Sequence, residues 1–122
     1  MTAGRPASWP IKFYESPDKG CPVREFLDSL DKPRRSKVLA LIKLLEELGP
    51  ALPFPYSSQL RGKLRELRTH YGKEHYRLLY FGDPHRVFVL LSAFVKRTEE
   101  TPDREIAIAE HRMASHLRHT KD

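Results

Sequence analysis

The chain has 122 residues with a net charge of +6, and 39% of its residues are hydrophobic. This length allows one domain, spanning residues 1–122, and excludes a second domain of ordinary size. The single cysteine excludes an internal disulfide and indicates a reducing compartment, and no apolar run is long enough to span a membrane, so we expect a cytoplasmic protein.

The N-terminal third predicts one strand and two helices. Residues 1–8 are expected to fray, and Trp9–Tyr14 predicts a short strand in which Pro10 marks either a sheet edge or the start of the strand. Apolar residues then recur at positions i, i+3, i+4 and i+7 behind Pro22, which suits the first helical position. A second helix is predicted between an N-cap at Asp31 and a stop at Gly49, so the two helices form an αα-hairpin.

The middle of the chain predicts an extended connection followed by three strands. Ala51–Ser58 forms the connection, because its prolines restrict the backbone, and we expect Phe54 and Tyr56 to attach it to the core. Three strand-like runs follow at hairpin spacing and predict an antiparallel meander. They are Leu64–Thr69, Tyr76–Phe81 and Val87–Val95. The last run is almost wholly apolar, so it is the expected central strand.

The C-terminal segment predicts one more helix. Thr101 is its expected N-cap, Pro102 occupies the first helical position, and residues 117–122 are expected to fray. The fold class is therefore α+β: a small antiparallel sheet with an N-terminal αα-hairpin and a C-terminal helix, in the order β-α-α-β-β-β-α. We expect the helices to cover one face of the sheet and the other face to stay partly open.

No pattern of a metal or cofactor site occurs in the sequence. The six histidines show no ligand spacing with cysteine or acidic residues. The glycine patterns of phosphate-binding loops, dinucleotide-binding turns and nucleophile elbows do not occur either. We therefore expect neither a metal nor a cofactor.

Basic residues recur along the three predicted strands. Arg68 and Arg77 should lie on neighbouring strands, and Lys96 and Arg97 end the third strand. An arginine beside a phosphate stabilises the charge that builds up on pentacoordinate phosphorus. RNA carries its own nucleophile, the 2′-hydroxyl, so a protein can cleave RNA without a metal by orienting that group and moving protons. The pattern therefore favours a cationic face for a polyanion, and the alternative is that each side chain reaches water independently.

A second basic group lies near the start of the second predicted helix. Cations are unfavourable at that end of a helix dipole, so the group has no local structural reason. We interpret it as a candidate partner surface formed by Arg34, Arg35 and Lys37.

Several stretches resemble the phage-derived, HigB-like branch of the RelE/ParE toxin superfamily. The resemblance is carried by PVREFLDSL, LPFPYSSQLRGKLRELR, YRLLYF and VFVLLSAFVKRTEETPDREIAIAEHR. It implies a RelE-like fold of the microbial ribonuclease type and a toxin of a type II toxin–antitoxin system. It also implies metal-independent cleavage of mRNA in the ribosomal A site, inhibition by a cognate antitoxin, often a helix-turn-helix protein, and contact with operator DNA through the antitoxin complex.

The resemblance also implies roles for individual residues. Positions in the E-L-R, Y-R and F-V-K motifs are implied to be catalytic: Arg68, Arg77 and Lys96. Four further residues are implied to bind RNA: Lys63, Arg65, Arg97 and Tyr80. Of these, Tyr80 either stacks on a base or belongs to the core.

Two positions depart from the family pattern. An aromatic residue often stands in the E-L-R motif where this chain has Arg65, and a histidine often precedes F-V-K where it has Ser92 or Ala93. If that histidine carries protons in relatives, either Lys96 or His70 replaces it here or the activity of this chain is low.

Two other functions stay open. One is a gyrase-poisoning toxin on the same fold, against which the cluster of Arg68, Arg77 and Lys96 argues. The other is a non-catalytic basic module that binds its partner or operator DNA, which the missing histidine keeps open.

Overall fold

The computed structural model describes residues 8–98 and 100–119. Its elements follow the order β-α-α-β-β-β-β-α, which confirms the α+β class and adds one strand to those predicted. None of the described helices is both long and apolar enough to cross a membrane. The elements are β1 Ile11–Phe13, α1 Pro22–Ser29, α2 Lys32–Leu48, a 3₁₀ turn Gly49–Ala51, β2 Ser57–Arg61, β3 Leu64–Tyr71, β4 Glu74–Gly82, β5 Phe88–Lys96 and α3 Asp103–His119.

The five strands form one sheet in the order β1-β5-β4-β3-β2. Strands β2 to β5 make an antiparallel meander, and β1 pairs with β5 in parallel at one edge. The central strand is β4, whose residues Tyr76–Phe81 are all buried. The prediction that Val87–Val95 is central was wrong, because only β1 lies on one side of β5 while three strands lie on its other side, so β5 is second from the edge.

Two tight turns set the register of the meander. Gly62 (φ +56°) forms the turn that folds β2 back onto β3. Because of this turn, Ser57–Arg61 forms a strand although it has no alternating apolar pattern, and the sequence prediction assigns its first two residues to the extended connection. Gly72 (φ +60°) occupies a two-residue loop, so β4 begins at Glu74, two residues earlier than predicted. The earlier start brings His75 into the sheet.

The helices lie on both faces of the sheet, so the prediction that all of them cover one face was wrong. Helices α1 and α2 pack against a cluster that includes Leu67 and Leu78, whereas α3 packs against Leu64 and Leu79 on the opposite face. Because successive residues of a strand point to opposite faces, apolar residues at both parities require a cover on each side. Helix α3 reaches only part of its face, and the remainder stays open near Arg68.

The capping signals of α2 act as predicted. Asp31 Oδ1 accepts a hydrogen bond of 3.1 Å from the Arg34 amide, and the helix ends at Leu48. Gly49 adopts φ +54°, and a Cβ atom there would lie 2.4 Å from Nε1 of Trp9. Glycine at this position therefore serves both the helix end and the close approach of the indole ring.

The start of α3 differs from the prediction. The helix begins at Asp103, and the hydroxyl of Thr101 donates to Glu66 of β3 instead of capping the helix. Residues 117–119 continue the helix, although we expected them to fray. The other residues of the predicted frayed termini, 1–7 and 120–122, lie outside the described part of the chain.

Candidate active site

Strand register brings two cations together on the face of the sheet that α3 partly covers. Arg68 of β3 lies directly opposite Arg77 of β4, and Arg77 lies opposite Phe94 of β5. Directly opposite residues of an antiparallel pair project to the same face. The two arginines therefore share one face, as the sequence predicted.

A second row of basic side chains lies two residues further along each of these strands. His70 pairs with His75, and His75 pairs with Lys96. Residues two apart in a strand share a face, so this row projects to the same side as the first. Together the two rows form what we call the cationic face: Arg68, His70, His75, Arg77 and Lys96.

Arg77 forms the floor of the cationic face. It is 1% exposed, and its Nε lies 3.7 Å from Oε1 of Glu66, which is 6% exposed. The same carboxylate oxygen accepts a hydrogen bond of 2.6 Å from the Thr101 hydroxyl. Because a buried cation requires a nearby counter-charge, Glu66 stabilises Arg77 in place and also attaches the segment before α3 to the sheet.

A cleft of about 420 Å³ opens beside the cationic face, along the part of β3 that β2 does not cover. Its lining residues are Lys37, Pro55, Tyr56, Arg68, Thr69, His70, His75 and Arg77. None of these described lining residues is acidic. A concave surface lined by cations and imidazoles attracts anions, and it has the groups needed to bind a phosphate and to transfer protons next to it.

Arg65 and Tyr80 do not belong to the cleft. Arg65 Nη2 donates a hydrogen bond of 3.0 Å to Oγ of Ser57, and the Tyr80 hydroxyl lies 2.7 Å from the same oxygen. Tyr80 is 2% exposed and contacts the ring of Phe88 edge-on. The structure therefore places Tyr80 in the core, on the face covered by α2, and Arg65 beside it.

Lys63 and Arg97 lie at the margins. Lys63 is exposed in the turn between β2 and β3, and it is five residues from Arg68, or about 17 Å along the strand. Arg97 is exposed directly after β5, next to Lys96. The structure thus groups the three residues implied to be catalytic and keeps Arg97 adjacent to them, while Lys63 lies at the other end of β3.

The connection between α2 and β2 contributes exposed aromatic rings at the rim of the cleft. Phe54 is 68% exposed and Tyr56 is 45% exposed, so the prediction that they attach the connection to the core was wrong. Leu52, which is 3% exposed, makes that attachment instead. The backbone also holds the connection, because the Arg68 amide donates a hydrogen bond of 2.8 Å to the carbonyl of Tyr56.

Sequence reasoning missed His75 and Lys37 as site residues. His75 was assigned to a loop, and the signal that could have placed it is the dipeptide Gly72-Lys73, which suits a two-residue hairpin turn. The sequence predicts Lys37 as part of a partner surface and not as a residue of this site. The structure separates the residues of that partner surface: Arg35 donates to carbonyls at the end of α1, whereas Lys37 lines the cleft.

Arg34 attaches the β3–β4 hairpin to α2 and so positions the histidines. Its Nε lies 2.9 Å from Oε1 of Glu74, and its guanidinium stacks 4.6 Å from the ring centroid of Tyr71. The hydrogen bond from Arg34 lowers the pKa of Glu74. Burial, together with a hydrogen bond to Glu74, raises the pKa of Tyr76 to about 12, so this phenol stays protonated at neutral pH.

Comparison with known proteins places these motifs in one family. A family model described as phage derived protein Gp49-like matches residues 25–114. Over 107 residues the chain is 34% identical to a protein of Mycobacterium tuberculosis (strain ATCC 25618 / H37Rv) named "Putative toxin HigB2", and the alignment covers 82% of this chain. The chain spans about half of that relative, since the alignment covers 53% of its length. These findings confirm the resemblance to phage-derived, HigB-like proteins, and the chain belongs to the phage-derived Gp49-like family.

Proposed function

We propose that the chain is the toxin of a type II toxin–antitoxin system and acts as a metal-independent endoribonuclease on mRNA in the ribosomal A site. The observation that carries this proposal is the convergence of the cationic face on a cleft without acidic lining residues. The family and the name of the mycobacterial relative support the toxin class. The cation-rich cleft supports an RNA substrate, because phosphate contacts dominate the affinity of nucleic-acid-binding proteins.

The chemistry uses the nucleophile that RNA supplies. A base removes the proton of the 2′-hydroxyl, the 2′-oxygen bonds to phosphorus, and the bond from phosphorus to the 5′-oxygen breaks as an acid protonates that oxygen. The products are a 2′,3′-cyclic phosphate and a 5′-hydroxyl end. In this proposal His70 and His75 transfer the protons, which replaces the histidine missing before the F-V-K motif.

The cationic side chains have two separate tasks. Arg68 and Lys96 bind the phosphate and stabilise the negative charge that develops on its oxygens, and each such donor contributes about 10²- to 10³-fold in rate. Arg77 acts from the floor of the cleft, where Glu66 fixes its position. Arg97, directly after β5, extends the positive surface toward the next phosphate of the RNA.

The proposed partners follow from the same activity. A cognate antitoxin, proposed to be a helix-turn-helix protein, inhibits the chain by masking its basic surface, and the complex of the two contacts operator DNA. The ribosome presents mRNA in a single-stranded form whose 2′-hydroxyls are accessible. The site of action is then the cytoplasm, where translating ribosomes occur.

The test is to induce the chain alone in bacteria and to map mRNA 5′ ends. Arg68→Gln and Lys96→Gln are the informative variants, because replacing Arg77 would also disturb the buried pair with Glu66. Arg104→Ala, an exposed cation on α3, is the matched control. New ends at in-frame codon positions with wild type and Arg104→Ala, but not with the two variants of the cationic face, support the proposal.

Two outcomes favour the other functions. Growth arrest without new mRNA ends, together with stabilised complexes of gyrase and cleaved DNA, favours a gyrase-poisoning toxin. Neither arrest nor cleavage, with a folded chain that binds its antitoxin tightly, favours a non-catalytic binding module. The burial of Arg77 against Glu66 is the observation that keeps the binding module as second candidate.

A further inference from the structure

Two exposed aromatic rings stand at the rim of the cleft without a structural role in the core. Phe54 is 68% exposed and Tyr56 is 45% exposed, and neither belongs to the buried clusters on either face of the sheet. Two large aromatic rings that remain exposed next to a cationic cleft form an apolar surface that is available for contact with a ligand.

The backbone around these rings is held in place. The carbonyl of Pro53 accepts hydrogen bonds from the amides of Tyr56 (3.0 Å) and Ser57 (3.1 Å), and the carbonyl of Tyr56 accepts one from Arg68 (2.8 Å). The side chain of Ser57 is buried against the hydroxyl of Tyr80. The rings are thus presented from a fixed turn, which lowers the entropy lost when a ligand stacks on them.

Phe54 and Arg68 are in direct contact. The guanidinium carbon of Arg68 lies 5.1 Å from the centroid of the Phe54 ring, over its face. The ring therefore orients a side chain of the cationic face, and Tyr56 lines the same cleft as Arg68. A phosphate held at Arg68 would lie next to both rings.

We infer that Phe54 and Tyr56 form a stacking platform for an unpaired RNA base beside the scissile phosphate. The inference rests on the proposed function, since it names how the same cleft holds its substrate. The basic lining of the cleft favours a polyanion such as RNA as the ligand. Every RNA base has a π-face that can stack on an aromatic ring. The platform takes over the stacking role considered for Tyr80, which is buried.

The contribution of stacking to RNA affinity is large enough to be measured. Base–aromatic stacking changes affinity by about 5- to 150-fold per base when the ring is removed. The loss should not depend on salt, because no charge is removed, whereas the loss of an arginine contact also lowers the salt dependence of binding. These two signatures distinguish a stacking ring from a phosphate contact.

The probe is a short single-stranded RNA with 2′-O-methyl sugars and one 2-aminopurine base, used alone and in the A site of programmed ribosomes. The methylated sugars prevent attack by the 2′-oxygen, so binding is measured without cleavage. The variants are Phe54→Ala, Tyr56→Ala and the conservative Tyr56→Phe. The control is Leu48→Ala, an apolar residue of α2 that is 42% exposed and does not line the cleft.

Wild type, Tyr56→Phe and Leu48→Ala are expected to quench the 2-aminopurine emission and to bind with equal affinity. Phe54→Ala and Tyr56→Ala are expected to bind about 5- to 150-fold more weakly, with less quenching and an unchanged slope of affinity against salt. The inference is overturned if both alanine variants, shown to be folded by circular dichroism, quench and bind as wild type does.

Cleavage of unmethylated mRNA, measured in parallel, separates this inference from the proposed function. Cleavage by wild type together with unchanged binding of the alanine variants rejects the platform and keeps the ribonuclease. Quenching that depends on the rings, without cleavage by wild type, keeps the platform and rejects the ribonuclease. Absence of both binding and cleavage rejects both.

Discussion

Arg77 Nε lies 3.7 Å from Glu66 Oε1 in the interior of the sheet, and both side chains are almost completely buried. The central strand of this small protein thus carries a charge at a position where an apolar residue would ordinarily stand. The pair also connects the cationic face to α3 through the hydroxyl of Thr101. The contribution of this pair to the free energy of unfolding can therefore be measured.

Replacing Glu66 by Gln is expected to lower the free energy of unfolding by about 3 kcal/mol, because it leaves the charge of Arg77 buried without its carboxylate. Urea unfolding measures the change. Arg61→Ala, which removes an exposed pair with Glu110, is the control and should change stability by less than about 1 kcal/mol. Equal effects of the two substitutions would contradict the buried pair.

A second buried pair predicts a dependence of stability on pH. Asp83 Oδ2 lies 3.1 Å from Nε2 of His116. Burial raises the pKa of Asp83, but hydrogen bonds from the Val87 amide, from His116 and from the His85 amide outweigh it, so the pKa lies below its ordinary value. Because the pKa of Asp83 is lower in the folded state than in the unfolded state, its ionised carboxylate stabilises the fold. This stabilisation is fully present above the unfolded-state pKa of about 3.9, and it is lost as the pH falls through the folded-state pKa.

Asp83→Asn keeps an acceptor for the turn amides and removes the charge. It is expected to lower the free energy of unfolding by about 1.5–3 kcal/mol at neutral pH, and the difference from wild type should shrink in acid. Urea titrations at a series of pH values measure this. Asp28→Asn, at an exposed position of α1, is the control. A difference that does not change between neutral pH and acid would contradict the lowered pKa.

Arg34→Ala tests the attachment of the β3–β4 hairpin to α2. Because the hydrogen bond from Arg34 is the main cause of the lowered pKa of Glu74, that pKa is expected to rise toward its ordinary value in the variant. NMR titration of the Glu74 carboxyl measures the shift. Lys43→Ala, an exposed cation of the same helix, should leave the pKa of Glu74 unchanged.

The histidine row leads to a kinetic prediction. His75→Gln is expected to lower the rate of single-turnover mRNA cleavage by about 10²- to 10⁴-fold and to remove one limb of its pH–rate profile, since His75 is proposed to transfer a proton. His111→Gln, at an exposed position of α3, serves as control. If His75→Gln keeps the wild-type pH profile, proton transfer must be assigned to other groups.

Much of the fold could be predicted because its signals are local. Asp31 and Gly49 delimit α2 as their capping chemistry requires, and apolar residues at helical spacing mark the buried side of α1. Strand β2 could not be predicted in the same way. Its residues Ser57–Arg61 have no strand pattern of their own, and they form a strand because the turn at Gly62 pairs them with β3.

The candidate site likewise contains residues that local motifs predict and one residue, His75, that only the strand register places there. The sequence motifs predict Arg68, Arg77 and Lys96 as site residues, and the strand register brings these three onto one face. The register that adds His75 depends on the length of one hairpin turn, and a change of one residue would move it to the other face. Such long-range placement is not encoded in a short window of sequence.

Composition and motifs by themselves determined the α+β class, the family resemblance and the basic residues proposed for the candidate site. Tertiary structure alone decided which aromatic rings are buried: Tyr80 packs under α2, while Phe54 and Tyr56 stay exposed at the cleft. The physical reason is that burial depends on which elements cover a residue. A strand side chain is buried when another element covers the face to which it projects, and a residue in a connection stays exposed when only its backbone is hydrogen-bonded to the sheet.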